Sequence, residues 1–203
     1  MGMYLNPGNN LFKIALNSNI YIDKSGLVSY VNDVINTEQR FICVSRPRRF
    51  GKSMAANMLT AYYSCGCDSK NLFDKLEIKS YNTYEDNLNK YDTIYLNIPK
   101  FLNKIDDLKK LGNYIENILV AELKDYFQNY NIPETEDLNT IISYVANHPN
   151  YKNRGFIFII DEWDCIFREA VENTTAQKNY LNFLRNIFKD NGDIKLAYMT
   201  GIL

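Results

Sequence analysis

The stretch Arg40-Phe41-Ile42-Cys43-Val44-Ser45-Arg46-Pro47-Arg48-Arg49-Phe50-Gly51-Lys52-Ser53 decides the fold. Its first half is a compact apolar run of the kind that forms a buried strand. Beyond its end, Met54, Ala55, Ala56, Met58, Leu59, Ala61 and Tyr62 make a strongly helical segment. A phosphate-binding loop needs such a setting. Its backbone must curl until successive N–H groups point inward, which calls for Gly at the tight position. The helix beginning there adds its positive end, a Lys reaches the terminal phosphates and a hydroxyl ligates Mg²⁺. The spacing therefore predicts that Arg46, Pro47, Arg48, Arg49, Phe50, Gly51, Lys52, Ser53 and Met54 enclose the phosphates of a nucleoside triphosphate. One position departs from the usual pattern, because Arg46 stands where the first Gly would fall. Gly-Lys-Ser alone is a common tripeptide, and a helix start with a chance Lys is its bland explanation.

A second stretch bears on that choice. Gly155-Phe156-Ile157-Phe158-Ile159-Ile160 is the most apolar run in the chain and ends abruptly in Asp161-Glu162. Open parallel sheets hold ligands at the carboxyl ends of their strands. The two acids are thus expected at the same edge as the loop, in the Walker B manner. Asp161 is expected to hold Mg²⁺ together with Ser53, and Glu162 to orient and deprotonate the attacking water. Solvated acids closing a strand are the alternative, and the ordered pair of motifs argues against it. Thr200, in Tyr198-Met199-Thr200-Gly201, stands where a sensor of the γ-phosphate would, although Thr-Gly also makes an ordinary strand-end turn. Lys52, Glu162 and Thr200 are the candidate catalytic residues. Arg46, Arg48 and Arg49 offer guanidinium groups suited to phosphate, or pair with Asp161, Glu162 or Asp164.

Outward from these blocks the pattern alternates. Strands are expected at Thr93–Ile98, closed by Pro99, and at Ile194–Met199. Helical spacing runs through Leu108, Leu111, Ile115, Leu119, Leu123 and Phe127, around 136–147, through 176–189, and after the extended lead-in at 20–25. Such alternation implies three layers, a mostly parallel sheet between helices. With 203 residues, the chain suits a single domain, 1–203. A net charge of −1 excludes a whole-chain basic field that would recruit nucleic acid. No apolar run reaches the roughly 18 residues of a membrane span, and the N-terminus lacks the pattern of a signal peptide. Cys43 and Cys165 read as small core residues, Cys65-Gly66-Cys67 as a helix-ending turn, and a reducing cytoplasm as the compartment. His148 is expected in solvent.

Four blocks together resemble the predicted AAA-ATPase-like family of bacterial proteins. They are Tyr21-Ile22-Asp23-Lys24-Ser25, Ser45 through Ser53, Ile160-Asp161-Glu162-Trp163-Asp164 and Met199-Thr200-Gly201. The resemblance runs from about residue 20 to residue 203, and its Arg-Pro-Arg-Arg-Phe-Gly-Lys-Ser signature makes Arg46 a family character. It implies an additional-strand, AAA-like P-loop NTPase fold in which one strand separates the phosphate-loop strand from the Walker B strand. It also implies ATP rather than GTP, with Mg²⁺. Trp163 stands where Tyr is more usual. Similar proteins continue into a last strand, a helical lid and a domain resembling restriction-endonuclease-like nucleases. The chain is therefore expected to be the N-terminal ATPase domain of a longer protein, ending before that strand and lid. ATP hydrolysis driving or gating a C-terminal domain or partner is the expected function, and a nucleotide switch with little turnover is the alternative. Nuclease chemistry from Asp161, Glu162 and Asp164 is disfavoured. Nucleic acid and further copies of the chain stay open as partners.

Overall fold

The computed structural model describes residues 2–134 and 137–202. Among them, four strands pair in parallel: β1 (Phe41–Ser45), β2 (Asp92–Asn97), β3 (Phe156–Asp161) and β4 (Ile194–Gly201). Their spatial order is β1-β4-β3-β2, so β4 lies between the strand leading into the loop 46–51 and the strand ending in Asp161. The expectation of a separating strand is met.

Apolar sequence explains the order. All six residues of β3 are buried, as a strand covered on both faces requires. In β1, by contrast, exposed and half-buried residues alternate, because it is an outer strand. Cys43 lies there and is exposed, which corrects its reading as a core residue; Cys165 is buried as expected. At the opposite edge, the N-terminal segment covers β2 through an antiparallel bridge between Leu5 and Ile94. This leaves fewer open N–H and C=O groups along that edge.

The two faces of the sheet carry separate cores. Phe156, Phe158 and Ile160 pack with residues of α6 (Ile98–Leu102), α7 (Leu111–Tyr126), α8 (Leu138–Ala146), α9 (Cys165–Glu169) and α10 (Thr174–Phe188). Ile157 and Ile159 point the other way, toward α1 (Asn10–Leu16), α2 (Gly26–Val34), α3 (Lys52–Tyr63), α4 (Lys70–Phe73) and α5 (Tyr84–Asn87). This is the period of two that a strand imposes. Each such Ile or Phe contributes about 1.5–3 kcal/mol on burial. In β4 the alternation breaks, since Ile194 joins the first core and Leu196 the second. A register irregularity opposite Phe156 and Ile157 accounts for the break, as one extra residue turns the strand over.

The boundaries show where local signals mislead. Pro99 does not close the second strand in a turn; it occupies the first turn of α6, where a missing N–H costs nothing. The helix expected around 136–147 runs over Leu138–Ala146, with residue 136 outside the described residues. Helix α1 lies outside the helical spacing read from the sequence. His148 is half-buried rather than free in solvent, stacked on Tyr130 with ring centroids 4.1 Å apart. Among the described residues, no helix is long and apolar enough to cross a membrane.

Gly112 sets the approach of α7 to α10. A Cβ there would stand 2.7 Å from Phe183 Cβ and 3.1 Å from its Cγ. Ala is favoured over Gly by about 1 kcal/mol in a helix, but forced overpacking costs about 1–3 kcal/mol. Gly112→Ala is therefore expected to lower the midpoint of urea unfolding, whereas a raised midpoint would mean that the two helices separate freely.

Candidate functional site at the carboxyl edge of the sheet

Parallel pairing brings the ends of all four strands to one edge. The register sets Asn97 beside Asp161, Val44 beside Thr200 and Ser45 beside Gly201. From β1 the chain enters the loop 46–51 and then α3. The Arg46 N–H still reaches across to the Gly201 carbonyl at 3.2 Å, continuing the ladder one residue past β1. The curl follows from two left-handed residues, Arg49 at φ +69° and Gly51 at φ +78°. Gly adopts that region without strain, which accounts for Gly51, while Arg49 bears a cost of about 1–2 kcal/mol. Beyond the curl, the Lys52, Ser53 and Met54 amides lie in the first turn of α3, where no carbonyl of the same helix can accept from them. The first backbone bond of that helix runs from Ala55 to Gly51, at 3.0 Å.

Lys52 folds back over the loop. Its Nζ donates to the Arg46 carbonyl at 2.7 Å and to the Pro47 carbonyl at 2.9 Å. An ammonium has three donors, so it braces the loop while its charge stays at the mouth of the curl. A second lysine acts from outside, Lys24 Nζ donating to the Phe50 carbonyl at 3.1 Å. Arg46, Arg48 and Arg49 are all exposed. Among the described residues none of them forms an ion pair. Arg48 and Arg49 line an open cleft of about 380 Å³ with Gly51, Lys52, Ser53, Met54, Glu162 and Ile202. Arg46, Pro47 and Phe50 lie outside that lining.

The acids occupy different environments. Asp161 is 1% exposed; its Oδ1 accepts from the Thr200 hydroxyl at 2.6 Å and its Oδ2 from Asn97 Nδ2 at 3.2 Å. Glu162 is about one-third exposed and lies on the cleft. Its backbone is left-handed, at φ +52°. That turn is held from β4, where Thr200 Oγ1 accepts from the Glu162 N–H at 3.2 Å and the Thr200 carbonyl accepts from the Trp163 N–H at 3.0 Å. Thr200 is fully buried, with its hydroxyl already engaged at both ends. In this structure it positions the two acids and does not face the cleft.

Arg168 is the member that motif reasoning missed. Its Nη2 lies 3.0 Å from Glu162 Oε2 and its Nη1 2.7 Å from Asp164 Oδ2. The same Asp164 oxygen accepts from the Ile202 N–H at 2.7 Å, linking α9 to the end of β4. Burial works against the charge of Arg168, but Asp164 and Glu162 raise its pKa above its ordinary value. The only advance signal was the i,i+4 spacing of Asp164 and Arg168, a pattern common on any helix.

Among the described residues, no group of three or more His, Cys, Asp or Glu could hold an ion. Mg²⁺ needs no such cage, since it retains waters and takes one or two carboxylates with substrate phosphates. Asp161 has lone pairs beyond the two it uses, and Ser53 is exposed at the loop.

The Thr200–Asp161 bond gives a direct test. Thr200→Val keeps shape but leaves a buried carboxylate short of one donor, costing about 1–3 kcal/mol. Thr200→Ser, which keeps the hydroxyl, is expected to unfold in urea closer to wild type than the Val variant. Equal midpoints for the two variants would remove the hydroxyl from the account.

Comparison with known proteins supplies the family. No curated protein and no solved structure matches the chain. A family model described as Predicted AAA-ATPase matches residues 9–203, a span that includes the lead-in, the loop, the acids and Thr200. The chain belongs to the predicted AAA-ATPase family.

Proposed function

We propose that the chain is a P-loop NTPase domain that binds and hydrolyses ATP. One observation carries this reading: Lys52 and Ser53 from the loop and Glu162 from the end of β3 line the same cleft. The strand order, with β4 between β1 and β3, supports the additional-strand class. The phosphates lie over the curl, bound by the Lys52, Ser53 and Met54 amides and by the ammonium of Lys52. Arg48 and Arg49 approach them from the cleft wall, where a guanidinium offsets charge on a transferring phosphoryl group. Ser53 and Asp161 would hold Mg²⁺, which would neutralise phosphate charge when bound. The Glu162 carboxylate accepts a proton from the attacking water. Thr200 and Asn97 keep Asp161 aimed, and Thr200 also fixes the turn that carries Glu162. The energy of the reaction would act on a C-terminal domain or a partner, in the cytoplasm.

A second reading has its own support. The Arg168–Glu162 ion pair at 3.0 Å engages the carboxylate that would take the proton. A domain that keeps this pair with ATP bound would act as a nucleotide switch with little turnover.

Two substitutions separate these readings. Lys52→Ala is expected to weaken ATP binding at least about tenfold in calorimetry, the loss of one charge-assisted contact. Unchanged affinity would refute the phosphate site. Glu162→Gln is expected to keep ATP affinity while lowering turnover about 10²–10⁴-fold. Negligible turnover in both wild type and Glu162→Gln would select the switch.

A further inference from the structure

A cavity at the end of β2 takes no part in the chemistry above. Its volume is about 480 Å³, within the range of small-molecule sites. Tyr95 and Asn97, two residues apart and so on one face of β2, form one side, with Met3 and Tyr4 beside them. Lys100 on α6, and Asn103 and Lys104 just beyond that helix, complete the lining. Asn97 also donates to Asp161, and β2 lies beyond β3 and β4 from β1. The cavity therefore borders the carboxyl-edge site on the side remote from the loop 46–51.

Backbone bonds fix its walls. The N-terminal segment lies along β2, the Tyr95 N–H donating to the Tyr4 carbonyl at 2.9 Å and the Asn6 N–H to the Thr93 carbonyl at 2.7 Å. The Tyr4 N–H in turn donates to the Glu122 carboxylate of α7, at 3.1 and 3.2 Å from its two oxygens. Its ring packs on Phe101 of α6 with centroids 5.0 Å apart. Across the cavity, the Asn103 N–H donates to the Pro99 carbonyl at 3.2 Å and the Lys104 N–H to the Phe101 carbonyl at 3.0 Å. Walls held in this way are formed before a ligand arrives, so that binding orders little of the chain.

Charge decides what such a cavity takes. Lys100 and Lys104 are exposed, and among the described residues neither forms an ion pair. The described residues of the lining include no Asp or Glu. Two ammonium groups without a counter-charge suit a dianion, and a phosphate monoester carries about −1.5 to −2 at neutral pH. Lysine binds phosphate as a point charge, without a fixed geometry. The rest of the wall is the rings of Tyr4 and Tyr95 and the adaptable thioether of Met3, 72% exposed. Such surfaces pack against a flat ring.

We propose that this cavity binds a small aromatic phosphate monoester. Lys100 and Lys104 hold the phosphate, while Tyr4, Tyr95 and Met3 cover the ring. Neither lysine lines the cleft of Lys52 and Glu162, so the inference stands apart from the nucleotide reading above.

Calorimetric titration with phenyl phosphate tests it, on wild type, on the double variant Lys100→Gln/Lys104→Gln and on Lys52→Ala. Both replaced lysines of the double variant are exposed, so it is expected to fold, and its thermal midpoint checks this. The expected result is equal binding by wild type and Lys52→Ala, with binding by the double variant at least about tenfold weaker. No binding by wild type at millimolar ligand, or equal affinity in the double variant, overturns the proposal. Loss of binding in Lys52→Ala assigns the ligand to the loop 46–51 and overturns it as well. Two further titrations of wild type keep the test independent of any variant. Phenol, which lacks the charge, and inorganic phosphate, which lacks the ring, are each expected to bind at least about tenfold more weakly than phenyl phosphate. Phenol binding as tightly removes the lysines from the account, and inorganic phosphate binding as tightly removes the aromatic wall.

Discussion

A strand buried on both faces cannot end in a charge without partners close by, and this constraint organises the edge where the site lies. β3 runs apolar from Phe156 to Ile160 and terminates in Asp161, which is almost wholly buried. An unpaired carboxylate there would cost several kcal/mol or more. The partners come from the neighbouring strands, Asn97 from β2 and Thr200 from β4, each within hydrogen-bonding distance. Their register is therefore set by electrostatics as well as by packing. Thr200 then does a second task, since its hydroxyl and its carbonyl together hold Glu162 and Trp163 in a left-handed turn. The turn carries the Glu162 side chain out of the sheet and onto the cleft. A buried acid and a half-buried acid, adjacent in sequence, thus acquire different environments.

The loop 46–51 meets the same edge from the other side of β4. It is braced from within by Lys52 and from outside by Lys24, and both bind loop carbonyls. Successive N–H groups in such a curl form the kind of nest that suits an anion. The charges about the cleft are then divided in an orderly fashion. Among the described residues the loop arginines have no carboxylate partner, whereas Arg168 on α9 holds Glu162 and Asp164. An acidic edge balanced by its own arginine does not draw the loop arginines away from the cleft.

Much of this was legible in the sequence because the signals were redundant. The strand–loop–helix block is written in apolar run, glycine and helical spacing at once, and the second block in apolar run and abrupt acids. Strand order followed only from the resemblance, since periodicity does not say which strands adjoin. What stayed hidden depended on tertiary neighbours. Cys43 looked like a core residue because its flanks are apolar, but exposure is decided by β1 lying at the edge. Thr200 stood in the right position for a sensor, and only the fold shows its hydroxyl shared between Asp161 and Glu162. Asn97 carries no local motif, and Arg168 only an i,i+4 spacing to Asp164 that any helix can show. Pro99 was a local signal with two meanings, a stop or a first helical turn, and packing chose the second.

The proposed function depends on phosphate binding by the backbone amides at the start of α3. Amide hydrogen exchange of residues 50–54, measured with and without ATP and magnesium, tests it most directly. The account predicts that ATP slows exchange at Gly51, Lys52, Ser53 and Met54 while the N-terminal end of β2, at the opposite side of the sheet, is unchanged. Unaltered exchange at these amides under saturating ATP would contradict it.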